Sequence, residues 1–228
     1  MYRSKERLLI LDADGTVIDA FAAINEAFAQ HNMSLGDLER FQKRHNIFKY
    51  LGGAKEFPGN LAKQIGKRRR KEVLATLTDI YRQRAELYPG MAELIRDLIA
   101  EKGIKVGIVT RNVTTEPAVT LAHLFARHDI DIRQLDFVEY LPLNQEKGPH
   151  FKAIRARLGV NPARAFACGD EHRDYEAAIG AGMHPFIVSY GFESFERLAN
   201  KFGIPEEVIS TSPHGLSARV RHALDLSK

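Results

Sequence analysis

The sequence predicts an α/β protein: a doubly wound parallel sheet with a helical segment inserted after the first strand. Three observations carry this. Short apolar runs, residues 8–11, 104–109 and 165–168, stop abruptly at Asp12, Thr110 and Gly169-Asp170. They have the length of buried strands and fall far short of the ~20 residues a membrane helix needs. Stretches of about ten residues with helical periodicity separate the later runs, the alternation that βαβ units produce. From Phe21 to Leu87, by contrast, the chain shows helical spacing and breakers with no strand pattern.

In chain order, Phe21, Ile24 and Phe28 mark a first helix that fades near His31-Asn32, with Asp19 placed to cap it. Leu35, Leu38, Phe41 and Phe48 suggest a second helix. Residues 51–60, rich in glycine and proline, read as a loop, and residues 61–65 as a short turn. Val73, Leu74, Leu77, Ile80 and Tyr81 form one face of a longer helix that ends before Tyr88-Pro89-Gly90. Then Met91, Leu94, Ile95, Leu98 and Ile99 recur at i, i+3, i+4, i+7 and i+8, with Gly103 as the stop. After the run ending at Thr110, Pro117 opens a helix bearing Val119, Leu121, Leu124 and Phe125. Residues 136–140 form a short strand, and Phe151, Ile154 and Leu158 a helix ending at Gly159. Residues 175–179 look helical, 185–189 form another strand, and helical patterns at 195–202 and 216–226 close the chain. The predicted division is a core of residues 1–19 and 88–228 with an α-helical cap of residues 20–87.

Composition narrows the functional classes. The single cysteine, Cys168, cannot form an internal disulfide, which fits a cytoplasmic protein, and beside Gly169 on a buried strand it should pack rather than react. The apolar run after the charged N-terminus is too brief for a signal peptide. A net charge of +4 is a small excess with acids spread throughout, so nucleic acid is an unlikely partner. The densest basic run, Lys67-Arg68-Arg69-Arg70-Lys71, leads into a helix and reads as a solvated face.

The chemistry begins at Asp12-Ala13-Asp14-Gly15. Alone it is either a solvated turn or a pair of acids at the carboxyl end of a strand, where open α/β sheets bind ligands. Side chains two apart on a strand share a face, but past the strand's end one of the two could turn elsewhere. A parallel sheet brings Thr110, the loop bearing Lys147, Asp170 and Asp174 to the same edge. Four clustered carboxylates would repel; two charges ~4 Å apart cost about 4 kcal/mol at an effective dielectric of ~20. A hard divalent cation relieves that, and Mg²⁺ takes few carboxylates together with water and phosphate. Carboxylates, cation, lysine and hydroxyl together describe phosphoryl transfer.

These residues resemble the haloacid dehalogenase-like (HAD) superfamily, specifically its phosphatases. Asp12-Ala13-Asp14-Gly15-Thr16 matches D-x-D-G-T; Thr110 ends the second motif strand; Lys147 stands for the third motif; Gly169-Asp170 with Asp174 matches G-D-x-x-x-D. The resemblance is nearest to phosphoglycolate-phosphatase-like members, on the helical insert, Tyr88-Pro89-Gly90-Met91 and Ser189-Tyr190-Gly191-Phe192. It implies a Rossmann-type core, with Asp12 as nucleophile forming an aspartyl-phosphate and Asp14 as general acid and then base. It implies Thr110 and the Arg111 amide on phosphate oxygens, and Lys147 steadying the nucleophile and the transferring group. Mg²⁺ would be bound by Asp12, the main-chain carbonyl of Asp14 and Asp170, with Asp174 as ligand or support. Dehalogenases of the superfamily lack the second aspartate, so Asp14 favours phosphate esters. A sugar phosphomutase keeps the same pair and is the alternative; a non-catalytic HAD-fold binding protein, using the basic run at 67–71, is the second.

Glu171-His172-Arg173 departs from the small hydroxyl residue many relatives place first. Glu171 is expected to cap the next helix or stand behind the ligands rather than bind metal directly. His172 is expected to be exposed. Lys55, in the cap loop, is a candidate contact for a substrate carboxylate or second phosphate, against the alternative of a solvated lysine. Arg40, Lys43, Arg44 and His45 either favour anionic substrates or keep a helix soluble. The expected partner is a small phosphorylated metabolite.

Overall fold

The structure, a computed structural model, describes residues 5–44 and 67–226. Phe48, the loop at 51–60 with Lys55, and the turn at 61–65 lie outside the described residues, as do His45 and the side chains of Lys43, Arg44, Lys67 and Arg68.

Six parallel strands form one sheet: β1 (Arg7–Leu11), β2 (Ile104–Thr110), β3 (Phe137–Tyr140), β4 (Ala165–Gly169), β5 (His184–Val188) and β6 (Ile209–Ser210). Their order is β3-β2-β1-β4-β5-β6. The chain winds outward from β1 in one direction and then in the other. The order therefore reverses beside β1, the kind of switch point at whose carboxyl ends open α/β sheets bind ligands. Burial on both sheet faces explains why the strands read as unbroken apolar runs. On β1, Leu9 and Leu11 join one core cluster and Leu8 and Ile10 another, all four fully buried. Each such side chain contributes about 1.5–3 kcal/mol by leaving water.

The first cluster takes in α4 (Met91–Ala100), α5 (Pro117–Ala126) and α8 (Pro213–Ala223). The second takes in α6 (Gly148–Arg157) and α7 (His172–Gly180). Helices thus cover both faces, as predicted. One apolar residue of the predicted helical face points outward: Val119 is 44% exposed. Residues 195–202 contain a wide π-type turn, Arg197–Lys201, in place of an α-helix. The two-residue β6 was too short to carry a periodic signal.

Between β1 and α4 run α1 (Ala20–Gln30), α2 (Leu38–Arg44) and α3 (Lys67–Gln83). Asp19 caps α1, its carboxylate accepting from the Ala22 amide at 3.1 Å. Chain departure and return lie side by side, because Asp19 N–H donates to Glu86 O (2.9 Å) and Tyr88 N–H to Val17 O (2.8 Å).

His172 is not exposed as expected. Its ring stacks on Phe202 with centroids 3.8 Å apart and pairs through Nδ1 with Glu193 at 3.0 Å. Buried Glu193 also accepts from the His172 amide (2.6 Å) and from Arg197 Nε (3.0 Å). Burial pushes the Glu193 carboxyl up, but the His172 and Arg197 donors outweigh it and the net shift is below the ordinary 4.5. A depressed folded pKa stabilises above the ordinary value and ceases to do so as pH falls through the folded one. Glu193→Gln is therefore expected to lower stability at pH 7 by roughly 1–2 kcal/mol. Thermal melts should show that deficit constant above pH 4.5 and closing below it; a deficit unchanged at low pH would refute the assignment.

Candidate active site

Both acids of the opening motif lie just past the end of β1, and their side chains part company. The Asp12 amide extends the β1–β4 pairing by donating to Cys168 O at 3.0 Å. Its carboxylate accepts from the Ala13 amide (2.8 Å) through Oδ1 and meets Lys147 Nζ (2.9 Å) through Oδ2. Lys147, the residue before α6, is 4% exposed and also donates to Asp174 Oδ1 at 2.7 Å. One buried ammonium thus bridges an acid just past β1 and an acid in the first turn of α7. Burial pulls the Lys147 pKa down, but Asp12 and Asp174 outweigh it and hold the ammonium charged.

Asp12, Asp170 and Asp174 each offer an oxygen within 4.8 Å of the others. Asp170, fully buried, accepts from the Phe192 amide at 2.6 Å through Oδ2, while Oδ1 has no partner. Burial pushes its carboxyl up, and Asp12, Glu171 and Asp174 push it further. Burial likewise raises Asp12 to about 7, against the lowering effect of Lys147. Crowded carboxylates with an orphaned buried oxygen and only oxygen donors fit a hard divalent cation. The cluster holds three carboxylates, not the four anticipated.

The fourth acid faces another way. Asp14 Oδ1 accepts from the Tyr81 hydroxyl (2.8 Å), and Asn112 Nδ2 donates to both oxygens, at 3.2 and 2.9 Å. Burial lifts its carboxyl to about 6, opposed by those donors. Neither Tyr81 nor Asn112 was singled out from the sequence. Tyr81 lay on an apolar helix face, yet a buried tyrosine needs a partner for its hydroxyl, and that was the available signal.

Thr110, at the end of β2, is fully buried and its hydroxyl has no partner. The Arg111 guanidinium is paired with Glu171. Glu171 is the residue before α7, and its amide donates to Asp174 Oδ2 at 3.1 Å. Glu171 therefore stands at the N-cap of α7, the helix-capping position expected of it. Cys168 is buried and burial raises its thiol pKa, so it packs.

Glycine makes the crowding possible. Gly15 adopts φ +79°, and a Cβ there would overlap the Asp170 carboxylate. A Cβ on Gly191 would overlap both the Gly15 carbonyl and Asp170. Gly191 lies in the loop after β5, where its carbonyl accepts from Gln42 Nε2 of α2 at 2.8 Å.

The fold and this centre define a doubly wound α/β protein with an acidic, lysine-bridged site at the sheet's carboxyl edge. The chain belongs to the haloacid dehalogenase-like hydrolases, whose family description matches residues 6–182. It is 22% identical over 209 residues to Phosphoglycolate phosphatase 1 of Pseudomonas aeruginosa, covering 86% of this chain and 74% of that protein. It is 26% identical over 192 residues to Pyrophosphatase PpaX of Bacillus cereus, covering 82% and 84%. A haloacid dehalogenase-like family hydrolase from Streptococcus pneumoniae shares the fold, with TM-score 0.59 and 18% identity over 94% of this chain and 98% of that one. No helix among the described residues is long and apolar enough to cross a membrane.

Proposed function

We propose that this hydrolase cleaves a small phosphate monoester in two steps through Asp12, with Mg²⁺ as cofactor. The observation that carries the reading is the buried meeting of Asp12, Asp170, Asp174 and Lys147. In the first step an Asp12 oxygen bonds to phosphorus as the bond to the leaving oxygen breaks, and Asp14 gives its proton to that oxygen. In the second, Asp14 takes a proton from water, the water oxygen bonds to phosphorus, and the bond to Asp12 breaks. Phosphate leaves and both acids are restored.

Thr110 and the Arg111 amide hold phosphate oxygens, for which the unpartnered Thr110 hydroxyl is the support. Lys147 keeps Asp12 oriented and offsets charge on the transferring group. Asp12, the Asp14 main-chain carbonyl and Asp170 hold Mg²⁺, which when bound supplies neutralising charge to the phosphate. Asp174 serves as a further ligand or as support, its two oxygens accepting from Lys147 and from the Glu171 amide. Residues 20–87 act as a cap over a core of residues 1–19 and 88–228 and select the metabolite. The paired crossings at Val17–Tyr88 and Asp19–Glu86 support that division. Lys55 remains a proposed substrate contact within that segment.

Two relatives are named for different substrates, and the class their names share, phosphatase, is the one proposed. The test is phosphate release from p-nitrophenyl phosphate and a panel of small esters, phosphoglycolate included, in MgCl₂. Release abolished by EDTA is the expected result. Phosphate relocated on a hexose without release would select the mutase, and no turnover of any ester would overturn the reading.

A further inference from the structure

Asp14 is gripped from two directions by groups that no motif of the chain announces. Tyr81, on α3, is 1% exposed and delivers its hydroxyl to Oδ1 at 2.8 Å. Asn112, two residues beyond β2, spans both oxygens with its amide nitrogen. Its orientation is settled independently: the Asn112 side-chain oxygen accepts from the Thr114 amide at 2.9 Å and from the Thr114 hydroxyl. The NH₂ group must then point at Asp14. The two donors also share one scaffold. The Thr115 amide donates to Thr78 Oγ1 (2.9 Å), while Arg82 reaches Thr120 Oγ1 and Glu116, each at 3.1 Å. These bonds fasten one face of α3 to the loop that carries Asn112 and to the first turn of α5 that follows it. A carboxyl fixed by three donated hydrogen bonds has one orientation in which to meet a leaving oxygen, and proton transfer needs heavy atoms within hydrogen-bond reach.

We propose that Tyr81 and Asn112 are positioning residues for proton transfer at Asp14, so that a helix of the inserted segment sets how well the enzyme expels a basic alcohol. This rests on the phosphatase reading above. Phosphate esters differ in how much they need the proton. An alkoxide is a poor leaving group without it, whereas p-nitrophenolate departs unassisted. Misplacing Asp14 should therefore penalise alkyl phosphates selectively in kcat/KM, which reports the first transfer. The second step serves both esters equally and needs Asp14 to activate water. A weakened Asp14 should then let the aspartyl-phosphate accumulate.

The experiment compares wild type with Tyr81→Phe, which removes only the hydroxyl, on ethyl phosphate and p-nitrophenyl phosphate in MgCl₂. Asn112→Ala, which leaves α3 unaltered, provides the second variant. For each, kcat/KM on ethyl phosphate should fall by about 10²-fold, while that on p-nitrophenyl phosphate stays within about threefold. Rapid mixing with p-nitrophenyl phosphate should show a nitrophenol burst followed by slow turnover. Equal losses on both esters, or no loss on either, would overturn the positioning role. Wild-type protein inactive on both would instead overturn the phosphatase reading.

Discussion

Asp12→Asn is expected to cut phosphate release in MgCl₂ by on the order of 10⁴-fold or more, as loss of a covalent nucleophile typically does. The substitution is close to isosteric. An asparagine oxygen can accept from the Ala13 amide as Asp12 Oδ1 does at 2.8 Å, and Lys147 keeps its partner at Asp174. The fold should persist, so the loss is chemical: an amide cannot form the acyl phosphate. A melting profile alongside the phosphate assay separates the two causes. Residual turnover above about 1% of wild type, with the fold intact, would remove Asp12 from the nucleophile's role, since it far exceeds what surviving binding groups provide.

The second large effect runs against intuition, because removing a ligand should stabilise the cation-free protein. Burial raises the carboxyls of Asp170, Asp12 and Asp14, the latter two to about 7 and about 6, from an ordinary 3.8. A raised folded pKa means stability present below the ordinary value and lost as pH climbs through the folded one. In EDTA, the melting temperature should therefore decline from about pH 4 to beyond pH 7. Asp170→Asn deletes one of these charges, and its amide oxygen can still accept from the Phe192 amide. The variant should exceed wild type in EDTA at pH 8 by roughly 2 kcal/mol, about 4–8 °C for a chain of this size. Millimolar MgCl₂ should reverse the ranking, because wild type gains binding free energy that the variant forfeits. A variant less stable than wild type in EDTA at pH 8 would show that the cluster does not strain the empty site.

The sheet was legible because its strands are buried on both faces. Leu8, Leu9, Ile10 and Leu11 could only be a strand between two helical layers, and the polar residue at each run's end marked the functional edge. Asp12, Lys147, Asp170 and Asp174 were legible for a related reason: charged groups beside buried strands need one another. Other features left no such trace. Val119 was grouped with Leu121, Leu124 and Phe125 but lies on the outer side, and periodicity does not say which apolar residue faces out. His172 is held by Glu193 and Phe202, partners 21 and 30 positions away in sequence, so local pattern could not reveal these contacts. Tyr81 and Asn112 escaped because their target, Asp14, is reached from two segments whose docking is a property of the folded chain. Strand-end chemistry is written locally, whereas what reaches into it from the insert is written in tertiary packing.

Gly15 and Gly191 carry the last consequence. Where the Gly15 carbonyl, the Asp170 carboxylate and the Gly191 backbone converge, not even one methyl group can be admitted. A map of substitutions tolerated at each position should thus show these two glycines as silent as the aspartates beside them, although neither has a side chain to contribute. At this centre the scarce resource is volume, and the chain obtains its reactive density of charge by leaving atoms out.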